Sequence, residues 1–307
     1  MSKNKVAIIG AGFVGSTCAY ALFIDGVASE IALIDVNKEK AKGEALDLVH
    51  GKLFTSFTKV TYGDSYELCR DADIVVVTAG ASQKPGETRL DLTKKNAGIL
   101  KGIITGITKY NKDCIILMVA NPLDVLTYLA LKWSKFPDTR VFGTGTTLDT
   151  ARFRQLLGEY YGVNPTSVHA YILGEHGDSE FPAWSCANIA GIPLKDFKNY
   201  NKKKLEEIFQ KTRNAAYEVI STKGSTYYAI GLVVTAIVRD ILTDQHKVHP
   251  VSCLIKNFYG INDVCLSIPA VIKREGIKER IKIPLTKKEV EMLRRSADAI
   301  KKYIRQV

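Results

Sequence analysis

Apolar residues in the first half of the chain fall in short, nearly unbroken runs. These are Lys5–Gly10 (KVAIIG), Glu30–Val36 (EIALIDV), Asp73–Gly80 (DIVVVTAG) and Cys114–Asn121 (CIILMVAN), with Arg140–Gly143 (RVFG) as a shorter fifth. Runs of this length without polar alternation predict strands of a parallel sheet covered on both faces. Between them lie helix-like segments, including Val14–Asp25 and Lys38–Val49. Strand alternating with helix predicts an α/β fold with a doubly wound sheet. Beyond Gly143 the rhythm changes. Leu148–Tyr160 predicts a helix; Val168–Leu173 (VHAYIL), Leu266–Val271 and Arg280–Ile283 predict strands; a last helix begins near Thr286. The 307 residues exceed what one small core usually holds. The expected division is a first domain over residues 1–143 and a mixed α+β domain over 144–307. No repeat or low-complexity linker separates them, so they should pack rigidly.

The first strand runs into Gly10-Ala11-Gly12-Phe13-Val14-Gly15, a GxGxxG pattern opening a helix. A glycine-rich turn without ligand would give the same letters. Here a strand precedes, a helix follows, and Asp35 ends the second strand 20 residues after Gly15. Gly10 permits the tight turn, Gly12 lets a pyrophosphate approach the backbone, and Gly15 lets helix and strand pack closely. The helix N-terminus offers N–H groups to the phosphates. Asp35 suits ribose hydroxyls and would repel a 2′-phosphate, which favours NAD over NADP.

Four further segments carry polar residues where packing would not ask for them. Ala81–Leu90 (ASQKPGETRL) reads as an exposed loop. Asn121-Pro122 ends a strand. Asp149 and Arg152, three apart, share a helix face. His176 lies between glycines in Gly174–Asp178 (GEHGD). Each alone is also an ordinary surface connection, turn, local ion pair or loop histidine. Together GAGFVGS, DIVVVTAGASQKPGETRLDL, VANPLDVLTY, LDTARFRQLLG and GEHGDSE resemble the L-lactate/malate dehydrogenase family over essentially the whole chain.

That resemblance implies a Rossmann domain followed by a catalytic domain, NAD as cofactor, and reversible reduction of pyruvate to L-lactate. It implies His176 as the acid/base, a role suited to imidazole near neutral pH. Asp149 would orient the imidazole, Arg152 would clasp the substrate carboxylate by a two-pronged hydrogen bond, and Arg89 would swing in on loop closure to polarise the carbonyl. Asn121 would bind near substrate and nicotinamide ribose, and Thr226, in KGSTYYAIG, would line the pocket. Gly10, Gly12, Phe13, Val14, Gly15 and Asp35 would hold the cofactor. Gln83 is the position where malate enzymes of this family carry arginine; a neutral residue there leaves a second carboxylate unpaired, so pyruvate is expected over oxaloacetate. Malate, or another 2-hydroxy acid, is the alternative substrate.

The net charge of +11 comes wholly from Lys195–Arg213 and Lys273–Arg305. Both stretches resemble amphipathic helices, so a solvated basic face is expected. A non-catalytic RNA-binding or structural role is the rival reading from another class, but no aromatic interleaving or recognition motif supports nucleic acid. Six cysteines without CxxC pairing are expected as buried thiols of a cytoplasmic protein. No metal site and no membrane span are expected. A homotetramer is the family's typical assembly. Arg154 and His169 match positions that bind fructose 1,6-bisphosphate in allosteric bacterial relatives. Arg154 stands roughly 200° around the helix from Arg152 and so should face away from the substrate.

Overall fold

The computed structural model describes residues 4–55, 57–82 and 86–307. In chain order the first half runs β1 (Lys5–Ile9), α1 (Phe13–Asp25), β2 (Glu30–Ile34), α2 (Lys38–His50), β3 (Lys59–Gly63), β4 (Ile74–Val77), α3 (Arg89–Tyr110), β5 (Ile115–Met118), α4 (Leu123–Ser134), β6 (Val141–Gly143) and α5 (Thr147–Tyr161). The second half continues with β7 (Val168–His169), β8 (Ile172–Leu173), β9 (Phe181–Pro182), β10 (Asn188–Ile189), β11 (Ile192–Pro193), α6 (Lys202–Lys223) and α7 (Tyr228–Leu242). It closes with β12 (Lys247–Leu254), β13 (Cys265–Lys273), β14 (Gly276–Arg280) and α8 (Lys287–Ile304).

One nine-stranded sheet spans both halves, in the order β14-β13-β12-β6-β5-β4-β1-β2-β3. Strands β1 to β6 pair in parallel, and their 3-2-1-4-5-6 order is that of a doubly wound dinucleotide fold. All five apolar runs of the first half are strands of it. Every residue of β4 and β5 is buried, as a sheet covered on both faces requires. The edge strand β3 has no such run, because only Gly63 of KVTYG is buried. β12 then adds antiparallel to β6, with Ser252 opposite Gly143, so the second half grows directly from the first half's sheet.

Local chemistry sets the helix ends. α8 starts on a capping box between Thr286 and Glu289, and α3 on one between Thr88 and Asp91. α1 stops at Gly26 in the left-handed region, φ 73°. α4 is buried nearly all round, packed among α3, β12 and β13. A second, smaller core gathers Phe153 and Leu157 of α5 with Val168, Ile172, Leu205 and Phe209.

Two expected strands need correction. Val168–Leu173 is not one strand: β7 pairs with β10 and β8 with β9, in separate small sheets. The Arg280–Ile283 strand is displaced toward the N-terminus. Gly276, at φ 109°, turns the chain straight back onto β13, so the polar GIKER pairs there, and of the expected strand only Arg280 belongs to β14. Five cysteines are buried, but Cys186 is partly exposed, with its Sγ donating to the Pro284 carbonyl at 3.1 Å. Among the described residues no helix is long and apolar enough to cross a membrane.

Candidate active site

The carboxyl ends of β1, β2, β4 and β5 lie along one edge of the parallel sheet, the edge at which doubly wound sheets bind ligands. Gly10 has φ 104°, and a Cβ there would lie 2.8 Å from the backbone nitrogen of Ala79. A Cβ on Gly15 would fall 1.7 Å from the Gly10 carbonyl oxygen, so only glycine lets α1 pack this closely on the loop. Gly12 is the N-cap of α1, makes no side-chain cap, and has nothing within 4 Å of its Cβ position. The start of α1 is thus uncapped by any side chain and leaves room beside Gly12, as a bound pyrophosphate needs. Asp35 accepts from Ala11 N (2.7 Å) and Asn37 N (2.9 Å), which leaves lone pairs for two ribose hydroxyls. Phe13 is 70% exposed and stacks on Tyr227, their ring centres 5.3 Å apart; Val14 is half-buried. The residues present fit a dinucleotide.

His176 follows β8 on a loop strapped down from three sides. Gly174 and Ser267 exchange backbone hydrogen bonds of 3.1 and 2.8 Å, and His176 N donates to Asp124 Oδ2 at 2.7 Å. Asp124, buried in α4, also accepts from Ser252 Oγ of β12 at 2.6 Å. The imidazole Nδ1 lies 2.8 Å from Asp149 Oδ2, and the other oxygen of Asp149 accepts from Arg152 at 3.0 Å. Burial alone would strip the imidazole of its proton. The charge and hydrogen bond of Asp149, with Glu180 and Asp124 behind, outweigh that and lift the His176 pKa to about 9. Burial likewise opposes charge on Asp149, yet His176 and Arg152 hold its carboxyl below the usual range.

Arg89 is the first residue of α3, with its guanidinium on Glu175 (3.1 Å) and Asp178 (2.9 Å). It is therefore helical, and the expected exposed loop ends before it; the Thr88 cap is what starts the helix there. A Cβ on Gly177 would sit 2.7 Å from the Arg89 guanidinium, so the glycine after His176 lets the arginine in. Arg89, Leu92, Asn121, Pro122, His176, Asp178 and Tyr217 line a cavity of about 370 Å³.

The comparisons with known proteins agree along the whole chain. Residues 4–143 match the NAD-binding domain of lactate/malate dehydrogenases and residues 146–307 their alpha/beta C-terminal domain. The chain belongs to the lactate/malate dehydrogenase family. It is 49% identical over 307 residues to the L-lactate dehydrogenase of Acetivibrio thermocellus, covering 98% of this chain and 96% of that protein. The L-lactate dehydrogenase of Clostridium botulinum strain Loch Maree is also 49% identical, over 305 residues and the same shares. The crystal structure of the minor L-lactate dehydrogenase of Enterococcus mundtii, in its ligand-bound form, superposes with a TM-score of 0.97 at 43% identity, covering 100% of this chain and 99% of that one. As a member of this family the chain is an NAD-dependent oxidoreductase.

Of the family positions singled out by sequence, Arg89, Asn121 and His176 line the cavity, and Asp149 and Arg152 stand directly behind the imidazole. Thr226, half-buried in the turn between α6 and α7, is outside this hydrogen-bonded group. Gln83 lies outside the described residues. Arg154 points away from Arg152 and donates to the Thr166 carbonyl at 3.1 Å, while His169 is exposed on β7. Sequence reasoning missed the residues that hold the site together. Asn96, buried in α3, accepts from Ala81 N (2.7 Å) and donates to Asn121 O (2.7 Å), pinning two strand ends. Asp124 was legible as the single charge in the apolar run LDVLTYLAL.

Proposed function

We propose that this protein reduces pyruvate to L-lactate, reversibly, with NADH. The observation that carries the reading is the His176–Asp149–Arg152 chain of hydrogen bonds opening onto a small cavity beside the dinucleotide crevice. The bound cofactor supplies or accepts the hydride. His176, charged, gives the proton of its outer ring nitrogen to the carbonyl oxygen as that oxygen becomes a hydroxyl. Asp149 keeps the ring's other N–H in place and stabilises the imidazolium. Arg152 holds the substrate carboxylate with two parallel N–H groups, and Arg89 polarises the carbonyl. Gly10, Gly12, Phe13, Val14, Gly15, Asp35 and Asn121 form the cofactor side, and Thr226 the pocket wall. The domains divide at residue 143/144.

Loss of NADH absorbance tests this reading. Purified enzyme should consume NADH with pyruvate at a kcat/KM well above that with oxaloacetate. Gln83→Arg should move that ratio toward oxaloacetate, because it supplies a cation for the second carboxylate. A ratio favouring oxaloacetate in the wild type would reassign the substrate to malate.

The protein is cytoplasmic and assembles as a homotetramer. Supporting assembly, the exposed apolar side chains Tyr20 and Ile24 of α1, Phe54 just after α2 and Tyr228 of α7 line a groove of about 410 Å³. Fructose 1,6-bisphosphate, a polyanion, would bind at Arg154 and His169, neither of which lines the catalytic cavity. Bound across a two-fold axis, it would relieve repulsion between the paired cations and favour the assembled form. Adding the bisphosphate should therefore lower the pyruvate KM and raise the oligomer mass. If neither quantity moves, the effector site is absent.

A further inference from the structure

Glu180 is a buried carboxylate at the site that the chemistry above does not use. It sits four residues after His176, just before β9, 7% exposed, with its N–H donating to Gly177 O at 3.1 Å. The other buried site carboxylates are hydrogen-bonded: Asp149 to Arg152, Glu175 to Arg89 and Ser179, Asp124 to Ser252 and His176 N. Among the described residues nothing donates to the Glu180 carboxyl. Its oxygen, the Asp149 carboxylate and a His176 ring nitrogen lie within 4.8 Å of one another. The charged groups facing it are His176 on its own loop, Asp149 and Arg152 on α5, and Arg213 on α6.

Two carboxylates thus crowd one imidazole, with the Arg152 guanidinium held on Asp149, and their surroundings push their acidities apart. Asp149 holds both cations directly and stays charged. Burial first, then the charge of Asp149, raises the Glu180 carboxyl to about 8, against the pull of His176, Arg152 and Arg213. At neutral pH it carries a proton.

We propose that Glu180 is a positioning residue that sets the alkaline limit of substrate binding: neutral, it leaves the charge of Arg152 to the substrate carboxylate, and ionised, it competes for that charge. The inference rests on the pyruvate-reducing reading. Ionised Glu180 also strengthens the hold of His176 on its proton. Binding and proton retention therefore move in opposite directions as pH rises, which a purely structural side chain would not produce. If only the neutral form admits substrate, its population falls about tenfold between pH 7 and pH 9.

The test is the pH dependence of the pyruvate KM and of kcat, in wild type and in Glu180→Gln. In wild type KM should rise roughly tenfold from pH 7 to 9 while kcat persists until His176 loses its proton. In Glu180→Gln the rise in KM should flatten, while kcat, read in a complex that already holds Glu180 neutral, should keep its alkaline limb. NADH binding, read by fluorescence, checks that the variant is folded. If it is not, Glu180→Met takes its place and the pH dependence of wild-type inhibition by oxamate, an unreactive pyruvate analogue, is read beside it. A flat wild-type KM or oxamate profile, or the same rise in wild type and variant, overturns the role of Glu180. A wild type that binds NADH yet leaves pyruvate unreduced at pH 7 overturns the pyruvate reading instead.

Discussion

Replacing His176 by asparagine is expected to lower kcat for pyruvate reduction by about a hundredfold to ten-thousandfold while leaving NADH affinity unchanged. The loss is confined because the dinucleotide crevice and the imidazole are built on different elements. The glycine loop belongs to β1 and α1, whereas His176 hangs from β8 and is fixed through Asp124, Ser267 and Asp149. Asparagine can keep a hydrogen bond to Asp149 but cannot donate a proton at neutral pH. The pH profile gives a second signature. The folded site raises the imidazole to about 9, so the proton needed for pyruvate reduction is present below that value and lost as pH rises through it. Lactate oxidation, which needs the neutral ring, gains over the same range. In His176→Asn both limbs should vanish along with the rate. A variant retaining near-native kcat, or the same alkaline limb, would remove His176 from the mechanism.

What the chain revealed by itself follows from how local each constraint is. Gly10, Gly12 and Gly15 fall within six residues, and the turn can be read from that spacing even though Gly10 also packs on the distant Ala79 backbone. β4 and β5 are equally plain, because burial on both faces leaves no room for polar letters. β3 is not, since an edge strand with one buried residue carries no such pattern. The catalytic group sits between these cases. Asp149 and His176 are 27 residues apart, and only the antiparallel return through β8 brings them within 2.8 Å. Nothing in the spacing announces that contact, and the resemblance to a family supplied it. The supporting residues lie further still from legibility. Asp124 meets Ser252 across 128 residues of chain, and Asn96 reaches Asn121 from the far side of α3. Polar side chains buried singly in apolar helices are the only trace such partners leave, and that trace names no partner.

The Arg152→Lys exchange should cost about 30-fold to a few thousandfold in kcat/KM for pyruvate, roughly 2–5 kcal/mol, and most of it should appear as a higher KM. Both residues carry one positive charge, so a charge-only account would predict little change. Geometry argues otherwise. One arm of the Arg152 guanidinium is committed to Asp149 Oδ1 at 3.0 Å, and the planar fork leaves its remaining N–H groups in fixed directions for a second carboxylate. In the proposed role the arginine does two things at once: it helps hold the carboxylate beside His176, and it would present a two-pronged grip to substrate. Lysine, a point charge on a flexible stem, can serve one of the two. If its ammonium settles on Asp149, the substrate carboxylate enters a partly buried site with no partner, at the cost of its desolvation. If it turns to substrate instead, Asp149 loses a neighbour and His176 becomes its sole cation. Steady-state kinetics with pyruvate, together with NADH binding by fluorescence, separate these outcomes. In the first, KM rises and kcat is largely kept; in the second, kcat falls and its alkaline limb moves. A lysine variant matching wild type in both would mean that the carboxylate is held elsewhere.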